Sequence, residues 1–204
     1  MARVSAQERR HELIEAAIRV MARDGVAKAT TRAIVTEAGM QLGFFHYCFR
    51  SKEELLLQVI DTINERNVHA VIGVVRPHSD LRETLRASVG AYWEEVEANP
   101  GVHQLTYELT QYALRRPELI ELTRRQYANY FRAATGFLEA VAAAAGVEWT
   151  VDLPLLARYT YTIIDGATLS WVVDRDGDSA RQVLDQFTDY LVASARQRQP
   201  TGAR

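Results

Sequence analysis

Apolar positions recur at three- and four-residue intervals along almost the whole chain, and no stretch alternates as a half-buried strand would. The clearest stripe is Ile14, Ala17, Ile18 and Met21, which predicts a helix over about 6–23. Ser5 with Glu8 three residues on forms a capping box at its start, and Asp24-Gly25 stops it. A short helix follows over 31–38, entered at Thr30 or Thr31, with Ile34 and Ala38 turned inward. Gly39 turns the chain into a second short helix, 41–49, whose Phe45 and Phe49 stand one turn apart on the buried side. Ser51 and Glu54 make another capping box and open a helix to about residue 75, before Pro77.

Five further helices are expected over 81–98, 102–115, 118–145, 153–173 and 179–198. Asn99-Pro100-Gly101, Pro117, Gly146, Asp152 and the polar turn 174–178 punctuate them. The pattern therefore predicts an all-α fold of about nine helices, with a three-helix N-terminal domain at 1–51 and a larger helical domain at 52–204.

Charge separates the two parts. Residues 1–52 hold nine Lys/Arg against five Asp/Glu, whereas the remainder holds fifteen against twenty-one. A basic head on an acidic body directs a polyanionic partner to the head. The chain begins without an apolar h-region, has a single cysteine, Cys48, and contains no apolar run of the ~18–20 residues that span a bilayer. A cytoplasmic protein with no membrane partner is expected.

Residues 30–49 carry the most specific signal. Two short helices joined by a Gly turn match a helix-turn-helix, whose second helix enters the DNA major groove. With Phe45 and Phe49 inside, Leu42, Gly43, Phe44, His46 and Tyr47 are left to face outward. Such side chains suit thymine methyls and sugar edges; the less favoured alternative is that Phe44 and Tyr47 pack on the following helix.

The segments Ala29-Thr-Thr-Arg-Ala-Ile-Val-Thr-Glu-Ala-Gly-Met40 and Gly43-Phe-Phe-His-Tyr-Cys-Phe-Arg-Ser-Lys-Glu-Glu-Leu-Leu56 resemble the signature of TetR-type (TetR/AcrR) transcriptional repressors. The resemblance covers about residues 9–58. Beyond them it rests on helix number, length and the Ile-Asp-Gly…Trp-Val-Val-Asp run ending at Asp174. It implies that Thr31 binds a phosphate through its hydroxyl and helix N-terminus, and that Arg32 reaches a phosphate or a guanine edge. It further implies that Gln41, Leu42, Gly43, Phe44, His46 and Tyr47 lie along the groove, with Lys52 on a phosphate. Leu42 and Phe44 stand where the family more often has polar residues, and Val35 where it usually has Ala.

The second domain has no motif of that strength. It offers polar groups among aromatics, as ligand cavities between bundle helices do. The candidates are Trp93; His103, Gln104, Tyr107, Glu108 and Gln111; Tyr127, Tyr130 and Phe131; and Tyr161 and Asp165, the last serving equally as a buried structural acid. They suit a small, largely apolar or aromatic effector, and no cofactor or metal is expected. Leu169, Trp171 and Val172 with Val183, Phe187 and Leu191 give the last two long helices apolar faces suited to half of a four-helix homodimer seam.

A Gly-rich phosphate loop, His-Glu-x-x-His, a Cys/His cluster and Gly-x-Ser-x-Gly are all missing. Of the five histidines, only His103 lies near an acid, Glu108, that invites inspection. The sequence thus points to a non-enzymatic, ligand-responsive regulator that binds palindromic operator DNA as a dimer. The alternative is a helical small-molecule-binding protein, or a cofactor-free enzyme, with a vestigial DNA-binding head.

Overall fold

In the computed structural model, residues 5–77 and 80–198 are described. Among them are nine α-helices: α1 (Ala6–Asp24), α2 (Thr31–Glu37), α3 (Leu42–Cys48), α4 (Lys52–Ile72), α5 (Leu81–Ala98), α6 (Pro100–Leu114), α7 (Ile120–Ala145), α8 (Leu153–Asp174) and α9 (Gly177–Ala193). A single 3-10 turn, Pro117–Leu119, leads into α7. The expected Ser5 box forms in full: the Ser5 hydroxyl accepts from the Glu8 N–H at 3.1 Å and the Glu8 carboxylate accepts from the Ser5 N–H at 2.6 Å. At the opposite end Gly25 takes a φ of +84°, the conformation that stops the helix without a Cβ penalty.

Several ends differ from the pattern. The Ser51 hydroxyl accepts from the Glu54 N–H, but the Glu54 carboxylate reaches past Ser51 to the Arg50 N–H, so the second box is half formed. Pro100 does not separate α5 from α6; it occupies the first position of α6, where its missing N–H costs nothing and its fixed φ suits the helix. Asp152 precedes α8 without a side-chain capping bond. The final helix ends at Ala193, and the chain beyond pairs as a strand, β2 (Ala195–Gln197), antiparallel to β1 (Val147–Trp149). These two strands were not expected from periodicity, since three residues are too few to show a period of two.

The chain folds as two compact units, each with its own apolar core. The first comprises residues 1–64 and 99–126, so α6 and the start of α7 fold with α1–α3 and most of α4. Leu13, Ala17, Val20, Ile34, Phe45, Phe49, Leu55, Leu56, Ile63, Leu105 and Leu109 fill it. Phe45 and Phe49, each 1% exposed, pack with ring centroids 5.7 Å apart, as their one-turn spacing requires.

The second unit comprises residues 65–98 and 127–204. One cluster gathers Leu85, Phe137, Leu138, Leu156, Phe187 and Leu191, and another gathers Trp93, Val96, Ala167, Trp171 and Leu184. The strand pair closes beside Trp149, whose indole N–H donates to the Leu138 carbonyl at 3.0 Å. No helix among the described residues is long and apolar enough to cross a membrane.

Candidate DNA-binding and effector sites

In the first unit, burial sorts α3 into two faces. Phe45 is inside, whereas Gln41, Leu42, Gly43, His46 and Tyr47 are exposed, with Tyr47 leaving 73% of its surface to solvent. That exposure distinguishes Tyr47 from a core residue. Phe44 is half-buried, with the Arg9 guanidinium 4.3 Å over its ring. Thr30, not Thr31, caps α2: its hydroxyl accepts from the Ala33 N–H at 3.1 Å. Thr31 is thereby the first residue of α2, beside an exposed Arg32.

Lys52 is more constrained than a solvated first-turn lysine. Its ammonium donates to the Val26 carbonyl at 3.3 Å, and burial pushes its pKa below the ordinary lysine value, with Glu53 opposing and Arg116 assisting the shift. The other half of the Val26 peptide is held from α6, where the Glu108 carboxylate accepts from the Val26 N–H at 3.0 Å. The same carboxylate lies 3.3 Å from where a Cβ on Gly25 would be, so a side chain there would crowd it as well as strain the positive φ. Glu108 thus ties α6 to the end of α1. The pattern gives no hint of this contact, because the two partners are 82 residues apart.

Of the other α6 candidates, Gln104 and Gln111 are exposed and Tyr107 is half-buried. His103 is 4% exposed, and burial lowers its pKa to about 4 from 6.5. A neutral imidazole in the folded state and a protonated one in the unfolded state fix the sign. The contribution to stability is whole above pH 6.5 and is lost as pH falls through 4. In His103→Gln, denaturant unfolding followed from pH 7 to pH 4 is expected to lose less stability than the wild type, by on the order of 3 kcal/mol. Equal losses would place the acid-sensitive group elsewhere. Among the described residues no group of three or more His, Cys, Asp or Glu is arranged to hold a metal ion.

In the second unit, four predicted aromatics converge from α7 and α8. Tyr130 stacks on Tyr161 with centroids 5.0 Å apart and planes 16° apart, while Tyr127 and Phe131 meet Tyr161 edge-on at 5.7 and 5.5 Å. The Tyr161 hydroxyl donates to Asp165 at 3.3 Å. Burial first, and then the Asp165 charge, push the Tyr161 phenol far above its ordinary pKa, so it stays a donor. Trp93 lies apart from these rings, edge-on to Trp171 at 5.6 Å.

The predicted seam residues divide between core and surface. Trp171, Phe187 and Leu191 are buried within the unit, and Val172 is half-buried against the Trp93 cluster. Leu169 and Val183 are 44% and 47% exposed. Around them the structure adds Leu155, Tyr159, Val173 and Tyr190, all exposed and all on α8 or α9. Tyr159 faces Phe187 and Tyr190, at 5.9 and 4.9 Å, and not the Tyr161 rings. A groove of about 500 Å³ runs along this surface, walled by Tyr159, Ile163, Val183, Phe187 and Tyr190.

Comparison with known proteins covers most of the chain. Residues 13–59 match the bacterial regulatory proteins of the tetR family, and residues 81–195 match the C-terminal region of BetI-type transcriptional repressors. The nicotine-responsive transcriptional repressor HdnoR of Paenarthrobacter nicotinovorans is 30% identical over 187 residues, covering 92% of this chain and 95% of its own. Among solved structures, the multidrug binding protein EbrR, complexed with imidazole, is 30% identical with a TM-score of 0.61, covering 88% of this chain and 94% of its own. A TetR-family regulator from Rhodococcus sp. shares the fold at a TM-score of 0.74 and 19% identity, over 91% and 98% of the two chains. The chain belongs to the TetR family of bacterial regulatory proteins and is a transcriptional regulator.

Proposed function

We propose that the protein is a repressor that binds palindromic operator DNA as a homodimer and is released by a small, largely apolar or aromatic effector. In this reading it acts in the cytoplasm and catalyses no reaction. Residues 1–51 read the DNA, and residues 52–204 bind the effector and the second copy. The observation that carries the reading is the sorting of α3, with Phe45 locked inside and Leu42, His46 and Tyr47 left bare. In this assignment Thr31, Arg32 and Lys52 hold phosphates, while Gln41, Leu42, Gly43, Phe44, His46 and Tyr47 lie along the groove.

Two recognition helices must meet half-sites roughly 34–36 Å apart, so a ligand acts by favouring a dimer with a different spacing. The aromatic cluster of α7 and α8 is the effector site we favour. It draws support from the relative that responds to nicotine and from the multidrug-binding relative holding imidazole. The exposed apolar face of α8 and α9, which includes Leu169 and Val183, is the dimer seam we favour. A gel shift with upstream genomic DNA, repeated with hydrophobic ligands that raise the melting temperature, tests the whole scheme. DNA binding that no stabilising ligand weakens would refute it.

Lys52 gives a sharper test. One of its three N–H groups is committed to Val26, which leaves two for a phosphate. Lys52→Ala is expected to weaken binding to all DNA sequences alike and to flatten the log–log salt dependence by about 1.8, the loss of one contact from each copy of the dimer. An unchanged slope would leave Lys52 with only its bond to Val26.

A further inference from the structure

We infer that Arg9 is a DNA-backbone contact seated by the recognition helix itself. Its guanidinium rests on the Phe44 ring and grips a phosphate beside the groove that α3 enters, and Phe44 acts through Arg9 instead of reading a base. This rests on the reading above that α3 meets DNA.

The first observation is how α1 disposes of its four arginines. Arg10 donates to the Glu54 carboxylate at 2.9 Å and to the Cys48 carbonyl, and its guanidinium lies 4.3 Å over the Phe49 ring. Arg19 and Arg23 both pair with Glu37 at 3.0 Å, and Arg23 pairs with Asp24 as well. Arg9 makes no ion pair among the described residues. An arginine left without a carboxylate, where its neighbours on the helix have one, keeps its charge for an anion from outside the chain.

The second observation is the seat. The Arg9 guanidinium lies 4.3 Å from the centroid of the Phe44 ring, and both residues are half-buried. The attraction is to the quadrupole of the ring and commits no N–H to an oxygen acceptor. The planar fork of donors therefore stays available, in the shape that meets a phosphate bidentately. Holding the side chain on a ring before DNA arrives also lowers the ordering cost of the contact.

The third observation is the place. Phe44 is the third residue of α3, between the exposed Gly43 and the buried Phe45. Arg9 thus sits at the border between the packed side of α3 and the side that leaves Leu42, His46 and Tyr47 exposed. A cation at that rim is placed for the sugar-phosphate backbone, not for base edges. Phe44 has no donor of its own to offer a phosphate, but its ring seats a residue that has several.

The test follows binding to two duplexes at several salt concentrations by fluorescence anisotropy: DNA from upstream of the protein's own gene, and random-sequence DNA of the same length. Arg9→Gln is expected to weaken binding to both by about tenfold at low salt. It should also flatten the log–log salt dependence by about 1.8, one contact from each copy of the dimer, with little change in melting temperature. Arg9→Lys, which keeps the charge, should restore most of the slope. Phe44→Leu keeps an apolar side chain but removes the ring, and should lose part of the same affinity and slope; Phe44→Tyr should not. Added to Arg9→Gln, Phe44→Leu should weaken binding no further, because its effect passes through the arginine. An unchanged slope in Arg9→Gln would overturn the proposal whatever Phe44→Leu does, so the test stays decisive if that variant folds poorly. A Phe44→Leu loss confined to the upstream DNA, and additive with Arg9→Gln, would make Phe44 a reader of bases and overturn it too. Both outcomes leave the reading of α3 intact, whereas a wild type that binds neither duplex would overturn that reading and the proposal together.

Discussion

Val183→Asp is expected to convert the protein from a dimer to a monomer at micromolar concentration and to lower operator affinity by more than about 100-fold. The position is 47% exposed in the single chain, so an aspartate there costs the isolated fold little. In a seam formed by α8 and α9 of two copies it becomes a charge withdrawn from water without a partner. An uncompensated charge of that kind costs roughly 3–5 kcal/mol, which is over two decades in a dissociation constant. Sedimentation gives the mass, and circular dichroism verifies that the helices persist. Phe187→Asp is a poorer choice because Phe187 belongs to the core of its own unit, so dissociation and unfolding would be confounded. A Val183→Asp protein that remains dimeric, or a wild type that sediments as a monomer, would move the seam off this face.

The second large effect lies in the head. Phe45→Ala is expected to destabilise the first unit by about 3–5 kcal/mol, the usual cost of emptying a buried aromatic site. The ring is 1% exposed, is packed on Phe49, and meets the edge of His46 at 5.6 Å. Tyr47→Ala, two residues on and 73% exposed, should change stability by no more than about 0.5 kcal/mol yet still cost operator affinity. Denaturant melts and gel shifts on the two variants separate a residue that holds the helix from one that reads DNA. Similar stabilities for both would contradict the sorting of α3.

That sorting was legible in the sequence because it depends on local spacing. Phe45 and Phe49 at i and i+4, the Gly39 turn and the Ser51 cap are short-range signals, and they placed α2 and α3 to within a residue or two. The nine helices followed from periodicity for the same reason. What stayed hidden depends on distant partners. On α9, Val183, Leu184, Phe187, Tyr190 and Leu191 share one apolar stripe, so periodicity alone does not tell that Phe187 and Leu191 turn inward while Val183 and Tyr190, at its edge, stay exposed. The aromatic character of α7 and α8 was visible, but the convergence of Tyr130 on Tyr161 and the separation of Trp93 from both were settled by packing. Glu108 reads as one more polar residue of α6 until its carboxylate is found on the Val26 N–H.

The grip on Val26 bears on how hybrid sensors are to be built from this protein. A graft that transplants residues 1–51 onto a foreign effector domain severs both hands on that peptide at once, Lys52 on its carbonyl and Glu108 on its N–H. It also removes α6 from α1, where a Cβ on Gly101 would lie 3.4 Å from the Ala22 carbonyl, a fit that admits little bulk. The transplantable piece is therefore discontinuous, residues 1–64 together with 99–126, and a recombinant exchanging only the head needs a glutamate and a glycine supplied in register by its new host.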